Sequence, residues 1–474
     1  MFEFGFGKEC VTPKMGTPMI GQVVQMPCDG TYTDLFARAL YISNKRIEFI
    51  LITCDLLCLE NENVDFIRSE ISKNTKVDIN KIIIHTTHTH AGPAVTNIFN
   101  IKKEEQETAK EIFKKIIEAG TKAVSNKFTG NLFHGKDYLE ISYNRRYIMK
   151  SGKIELHPFK DDPDLLEPEG PNDPELNILV IKDIDNKIRG IIANYPCHLT
   201  SLERYNTKIS ADFPAYAEME LKTKFDNDDF ILFYFNGTCG NLCPVNVADK
   251  DSAEFGDGHS RKLGKIFAAS VMKIIDNLIA DNSEINFQYE KIRIPIRKIT
   301  KKMISKAKKT IDFYRDFDFK PFKLSEYGVE GHLNKEVISA DELIRTDYWK
   351  NMAANELINL HERYKNDDLV EIPLTAITID EVLILTIPAE VFVEYGLKIK
   401  KKLKSCFKAI FILELSNGWV GYVPTGKAFL FKEKCAYEVQ LLNSSKLTEN
   451  AGSIITDELI KMARNLAKTK ENKK

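Results

Sequence analysis

Over roughly the first 290 residues, short apolar runs alternate with segments whose apolar positions recur every three to four residues. The runs Arg46–Thr53 (RIEFILIT), Lys81–Thr86 (KIIIHT), Ile191–Tyr195 (IIANY) and Ile231–Phe235 (ILFYF) predict buried strands. Around 109–124, the positions Ile112, Phe113, Ile116, Ile117, Ala123 and Val124 fall on one helical face. Around 259–279, Leu263, Ile266, Phe267, Val271, Ile274, Ile275 and Leu278 do the same. This alternation predicts an α/β fold, a mixed sheet flanked by helices.

Between roughly 299 and 370 the texture changes: KKMISKAKKTIDFYRDFDF and WKNMAANELINLHERYK are charged, helical in pattern and free of glycine and proline. Strand character returns at Glu381–Ile387 and Ala409–Leu415. The simplest reading is one α/β domain over 1–474 carrying a helical insertion at 299–370, a cap over a site. The final LAKTKENKK reads as a frayed, solvated helix end.

Charge narrows the partners. Lys plus Arg (67) nearly cancels Asp plus Glu (68), so no basic surplus points to nucleic acid and a small molecule is the expected partner. No apolar run approaches the ~20 residues of a transmembrane helix. The opening MFEFGFGKECVTPK lacks the basic and apolar regions of a secretory signal, so the cytoplasm is the expected address. Nine cysteines, Cys435 among them, are scattered and odd in number, which reads as reduced thiols. The sequence leaves the oligomeric state unspecified.

The chemistry concentrates in IIIHTTHTHAGP, where His85, His88 and His90 lie within six residues just past an apolar strand. Residues two apart share a face of an extended segment, so His88 and His90 can converge while His85 points away and reads as structural. Sites in α/β sheets collect at the carboxyl ends of strands, and an H-x-H pair offers two imidazole nitrogens to a metal. His198, in ANYPCHLTSL, follows another apolar strand; Glu390, in LILTIPAEVF, sits where a strand gives way to a helix. Residue by residue, Glu390 reads as an acid in the first turn of that helix.

Taken together, several segments resemble the neutral/alkaline non-lysosomal ceramidase family, over nearly the whole chain. GKECVTPKMGTPMIG resembles its opening turn, and YTDLFARALYI and ITCDLLCL its next two strands. THTHAGP (87–93) resembles its zinc-binding segment, PCHLTSL its second histidine segment and NGTCGNLCPVN its glycine-rich loop. IPAEVF resembles its glutamate segment, and SNGWVGYVPT and AYEV its two tyrosine segments. The resemblance implies Zn2+ held by His88, His198, Glu390 and the oxygen of Tyr422. It places His90 beside the metal for proton transfer or substrate binding, against the plain H-x-H reading. It also implies that Tyr437 hydrogen-bonds a developing oxyanion and that water attacks an amide carbonyl.

The glycine-rich loop departs from the family's Asp and Ser: here it reads Gly240-Asn241-Leu242-Cys243-Pro244. Cys243 reads as a packed turn residue, a polar stand-in for the serine or a nucleophile, and with Cys239 as a thiolate metal pair. Cys197 reads as buried. Arg145, with Arg146 beside it in SYNRR, reads as an exposed loop charge or a clamp on a substrate oxygen. Asp55 is expected to orient a ligand histidine. The family's exported ceramidases carry a C-terminal β-sandwich that this chain does not show, which favours a smaller or more polar amide than ceramide. A zinc esterase, a hydrolase of a cyclic amide and a non-catalytic zinc-stabilised binding protein are the competing readings.

Overall fold

The strands that carry the site are apolar on both faces, because each is covered on both. In the computed structural model, which describes residues 1–21, 26–96, 105–158, 162–202, 206–249, 255–281, 284–317, 346–431 and 437–471, a large mixed sheet contains eight long strands. These are β1 (Phe2–Cys10), β2 (Phe36–Ser43), β3 (Glu48–Cys54), β4 (Ile82–Thr86), β5 (Lys127–Tyr138), β6 (Glu175–Asp183), β7 (Ile188–Tyr195) and β8 (Ile231–Asn236). They run in the order β8-β7-β6-β5-β1-β2-β3-β4, with Ile279–Ala280 added beside β5. The pairs β3–β4 and β7–β8 are parallel; the other neighbours along this path are antiparallel.

A second sheet contains β9 (Ile285–Pro295), β10 (Leu369–Ile379), β11 (Val382–Thr386) and β12 (Ala409–Leu413). It stacks on one face of the first. Alternate residues Leu40, Ile42, Phe49, Leu51 and Ile83 of the large sheet share a core with Ile377, Ile379, Ile384 and Phe411 of the small one. Their intervening neighbours face outward onto helices, as period-two alternation requires. Ile50, Ile52 and Ile84 share a core with α1 (Asn61–Thr75) and α2 (Glu105–Ser125). Ile191 and Leu232 share one with α3 (Phe213–Phe225) and α4 (Asp257–Ile275). The outer face of the small sheet is covered by α7 (Val393–Leu403) and α8 (Ala451–Glu471). The result is helix, sheet, sheet, helix.

The α/β reading therefore holds, with one addition: the returning strand character after 370 belongs to a separate sheet rather than to the first. The insertion expected at 299–370 lies between β9 and β10, which pair antiparallel from Ile285–Ile379 to Pro295–Leu369. Its described parts are α5 (Lys301–Phe313) and α6 (Asp347–Tyr364), whose N-caps Thr300 and Thr346 accept from Met303 N and Trp349 N. Residues 318–345 lie outside the described residues, as does Cys435; the other cysteines are free thiols. No described helix is long and apolar enough to cross a membrane.

The feature that builds the site is the approach of the two ends of the large sheet. Thr53 Oγ1 on β3 donates to the Tyr234 carbonyl on β8 at 2.8 Å, and Asn236 N on β8 donates to His85 Nε2 on β4 at 3.1 Å. Asn236 Nδ2 reaches the Thr87 carbonyl at 2.6 Å. His85 thus has a structural part, as its phase implied, and it sets the carboxyl ends of β4 and β8 side by side, with β7 next to β8.

Candidate metal centre

Past β4 the chain makes one forced turn. His88 has φ of +65°, a left-handed conformation that costs a non-glycine residue free energy. It is held there at both ends: its N–H donates to the Leu56 carbonyl at 2.9 Å and its Nδ1 to the Leu57 carbonyl at 2.8 Å. On the neighbouring strand end, His198 Nδ1 donates to the Cys239 carbonyl at 2.9 Å. His90 Nδ1 donates to the Gly21 carbonyl at 2.7 Å. A carbonyl can only accept, so each Nδ1 carries the proton and each Nε2 presents a lone pair.

Those lone pairs converge. His88 Nε2 and His198 Nε2 stand 2.9 Å apart, and Glu390 Oε2 lies 3.2 Å from the first and 3.8 Å from the second. His88, His90 and His198 form the group of metal-capable nitrogens among the described residues, all within 4.8 Å of one another. His90 Nε2 and Glu390 Oε2 are buried without a hydrogen-bond partner. Burial lowers the pKa of His90 to about 3, and burial followed by the nearby Arg145 puts His198 well below the usual range, so both stay neutral. Two unprotonated nitrogens at hydrogen-bond distance repel unless a cation lies between them. The donor set of imidazoles and carboxylate therefore fits a metal ion such as zinc.

Glu390 arrives by a different route. Glu390–Val391 pairs in parallel with Tyr422–Val423, Glu390 opposite Tyr422. Burial would raise the Glu390 carboxyl, but the neighbouring His88, followed by Tyr422 and Trp419, brings it down to about 2. The Trp419 indole N–H donates to Oε1 at 2.9 Å, leaving Oε2 toward the histidines. Two glycines allow this crowding. A Cβ on Gly240 would meet the Glu390 carbonyl oxygen at 2.7 Å, and one on Gly21 (φ +115°) would meet His90 Cα at 2.6 Å.

Tyr422 and Arg145 complete one wall. Arg145 Nη2 lies 3.3 Å from the Tyr422 hydroxyl, 2.7 Å from the Gly240 carbonyl and 2.7 Å from Glu438. Burial would weaken the Arg145 charge, yet Tyr437, Tyr422 and Glu438 hold it well above the ordinary range. Burial, then Glu390, pushes the Tyr422 phenol well up, so Tyr422 stays a phenol unless a dication meets it. The half-buried Tyr437 has its ring 5.7 Å from that of Tyr422 and hydrogen-bonds it. Ala436, in the same segment, lies outside the described residues.

Several expectations are corrected. Asp55 does not reach a histidine: its Oδ2 accepts from Arg38 at 2.6 Å and from Phe36 N at 2.8 Å, and backbone carbonyls orient the imidazoles instead. Arg145 and Arg146 are buried ion-pair partners of Glu438, not exposed loop charges. The Cys243 thiol donates to the Val245 carbonyl at 3.2 Å, and burial raises it to about 11. Cys239 instead faces Glu414, so the two thiols do not form a pair. Cys197 is buried as expected. Asn241 Oδ1 caps α7 by accepting from Val393 N at 2.8 Å.

Sequence reading missed Trp419, Glu414 and Glu438. Trp419 stood inside a recognised segment without a role, and Glu414 is a lone acid closing an apolar run, a signal that was available. Glu414 is fully buried, and burial raises it to about 8 against the hydrogen bonds it accepts.

The insertion reaches this wall. Trp349 of α6 packs with Met352, Leu442 and Tyr437, its indole N–H donating to Gln440 Oε1 at 3.0 Å, and Glu356 accepts from Asn443 N at 3.1 Å.

Comparison with known proteins agrees in fold. A crystal structure of neutral ceramidase from Pseudomonas aeruginosa superposes with a TM-score of 0.71 and 20% identity, covering 99% of this chain and 75% of that one. A ceramidase complexed with C2 gives 0.71 and 18% over the same shares. In sequence, the Pseudomonas aeruginosa neutral ceramidase is 23% identical over 256 residues, 51% of this chain and 37% of the relative, so the match spans little more than a third of that protein. The family model described as neutral/alkaline non-lysosomal ceramidase, N-terminal, matches residues 2–272, more than half of the chain. With the eight long strands of the large sheet and the histidine-bearing strand ends inside that span, the chain belongs to the neutral/alkaline non-lysosomal ceramidase family.

Proposed function

We propose that this chain is a zinc-dependent hydrolase that cleaves a carbon–nitrogen amide bond, with Zn2+ held by His88, His198, Glu390 and Tyr422. The observation that carries the reading is the convergence of imidazole lone pairs on a carboxylate oxygen, their tautomers set by backbone carbonyls. Zinc in such a site lowers the pKa of water to about 7 and polarises a carbonyl.

The chain's own residues supply the rest. His90 carries its proton on Nδ1 and leaves Nε2 free, so it can accept a hydrogen bond from the attacking water or from the substrate. Tyr437 offers a hydroxyl to an oxyanion, and the Arg145 cation beside both tyrosines favours negative charge there. With Nε and Nη2 already engaged by Glu438, Gly240 and Tyr422, Arg145 acts through its field rather than by clamping substrate. In this reading Cys243 supports the glycine-rich loop and is not a nucleophile, since a nucleophilic thiol needs a lowered pKa. Residues 1–474 act as one unit, the insertion forming the outer support of the Tyr437 wall.

The family resemblance favours a lipid amide, and small N-acyl amides are the second substrate class. The free His90 nitrogen favours an open, reactive centre over a closed structural one. The test is hydrolysis of a short-chain ceramide and a panel of N-acyl amides and esters, with chelator and with zinc restored. Amide turnover that stops with chelator and returns with zinc supports the proposal. Preference for esters would move it to an esterase, and a zinc-loaded protein inert to both panels would leave a binding protein.

A further inference from the structure

One buried acid touches both halves of the centre. Glu414 directly follows β12 (Ala409–Leu413), whose Phe411 and Leu413 are locked in the core between the two sheets. Its Oε2 accepts from Val391 N at 2.9 Å and from Cys239 N at 3.1 Å, and its Oε1 accepts from the Cys239 thiol at 2.9 Å. Val391 is the residue after Glu390. Cys239 is the residue whose carbonyl holds His198 Nδ1. A single side chain on a rigid strand end therefore joins the loop that orients one candidate ligand to the segment that carries another. Besides Glu414, Gly240 N donates to the Val391 carbonyl at 2.9 Å, so the two segments also meet directly, one residue farther along.

We propose that Glu414 is a positioning residue for the metal centre: by bridging Cys239 and Val391 it sets the spacing of His198 and Glu390. This rests on the reading that those two residues hold the metal. Partners that orient ligands from behind commonly cost ~10–100-fold in metal affinity when removed. A merely structural acid would instead lower stability and leave metal affinity unchanged.

The experiment compares zinc dissociation constants, by competition with a chromophoric chelator, for the wild-type chain, Glu414→Gln, Glu414→Met and His88→Ala, with melting temperatures of the metal-free proteins. Methionine matches the volume without accepting from the amides. It is expected to weaken zinc binding by ~10–100-fold. Glutamine keeps an oxygen for both N–H groups and turns its amide nitrogen to the thiol, so its affinity should stay within about threefold of wild type. Folded Glu414→Met that binds zinc like wild type overturns the proposal, as does Glu414→Gln that loses tenfold or more. Should Glu414→Met not fold, the glutamine variant decides on the same threshold. A wild-type chain that takes no zinc, or His88→Ala that keeps it, overturns the underlying metal reading, whereas intact wild-type binding with an unaffected Glu414→Met overturns the bridge alone.

Discussion

Replacing Trp419 with phenylalanine removes one hydrogen bond from the candidate ligand Glu390 while keeping an aromatic ring in place. The indole N–H reaches Oε1 at 2.9 Å, and Glu390 is only 3% exposed, so water is poorly placed to substitute. A hydrogen bond to a charged group contributes about 1.5–3 kcal/mol, and folding stability should fall by about that amount. Taken whole, it would correspond to ~10–100-fold in zinc affinity, at 1.4 kcal/mol per tenfold. Glu390 sits at a pKa of about 2, however, so it is ionised with and without the cation. Much of the bond's strength is common to both states, and its hold on the direction of Oε2 is what differs. We therefore expect about a tenfold loss of zinc affinity, the lower end of that range. Chelator competition measures the affinity and urea unfolding of the metal-free protein the stability. Trp419→Phe with both quantities unchanged would refute the reasoning, because the carboxylate would then not depend on the indole.

Three further outcomes are expected. Trp349→Ala removes a ring only 3% exposed, and large-to-small core changes of this kind cost ~3–5 kcal/mol. Hydrogen exchange at 437–443 should quicken, and unchanged protection there would mean that the insertion does not support the Tyr437 wall. Gly240→Ala places a methyl 2.7 Å from the Glu390 carbonyl oxygen, where backbone must give way. Destabilisation of ~1–3 kcal/mol together with weaker zinc binding is the expected result, and a neutral variant would contradict the close approach. Burial would raise Glu175, but Lys400, then Asn177 and Lys136, bring it down to about 2. Its folded pKa lies below the unfolded value of ~4.3, so its contribution is complete above that value and is lost as pH falls from there toward 2. The urea midpoint of Glu175→Gln should fall less than that of wild type between pH 5 and 2.5, and parallel curves would exclude the contribution.

Much of the fold was legible because strands covered on both faces must be apolar throughout, and β3, β4, β7 and β8 show this in their sequences. The helices α5 and α6 were legible in two charged runs free of glycine and proline. What could not be read was pairing over distance. Nothing in IIIHTT announces that His85 will meet Asn236 across the sheet, or that β10 to β12 will form their own sheet. The histidines were legible by type and by strand-end position, yet their tautomers depend on the carbonyls of Gly21, Leu57 and Cys239, which carry no sequence signal. Asp55 failed as an orienting carboxylate for the same reason: a nearby Arg38 claimed it, and only three-dimensional packing shows that choice.

The most direct test is elemental analysis of the purified chain beside His88→Ala and Glu390→Ala, each checked for folding by circular dichroism. About one zinc per wild-type chain, lost in both folded variants, is the predicted result. A metal-free wild type after purification without chelator, or metal retained by both variants, would contradict the assignment of this centre.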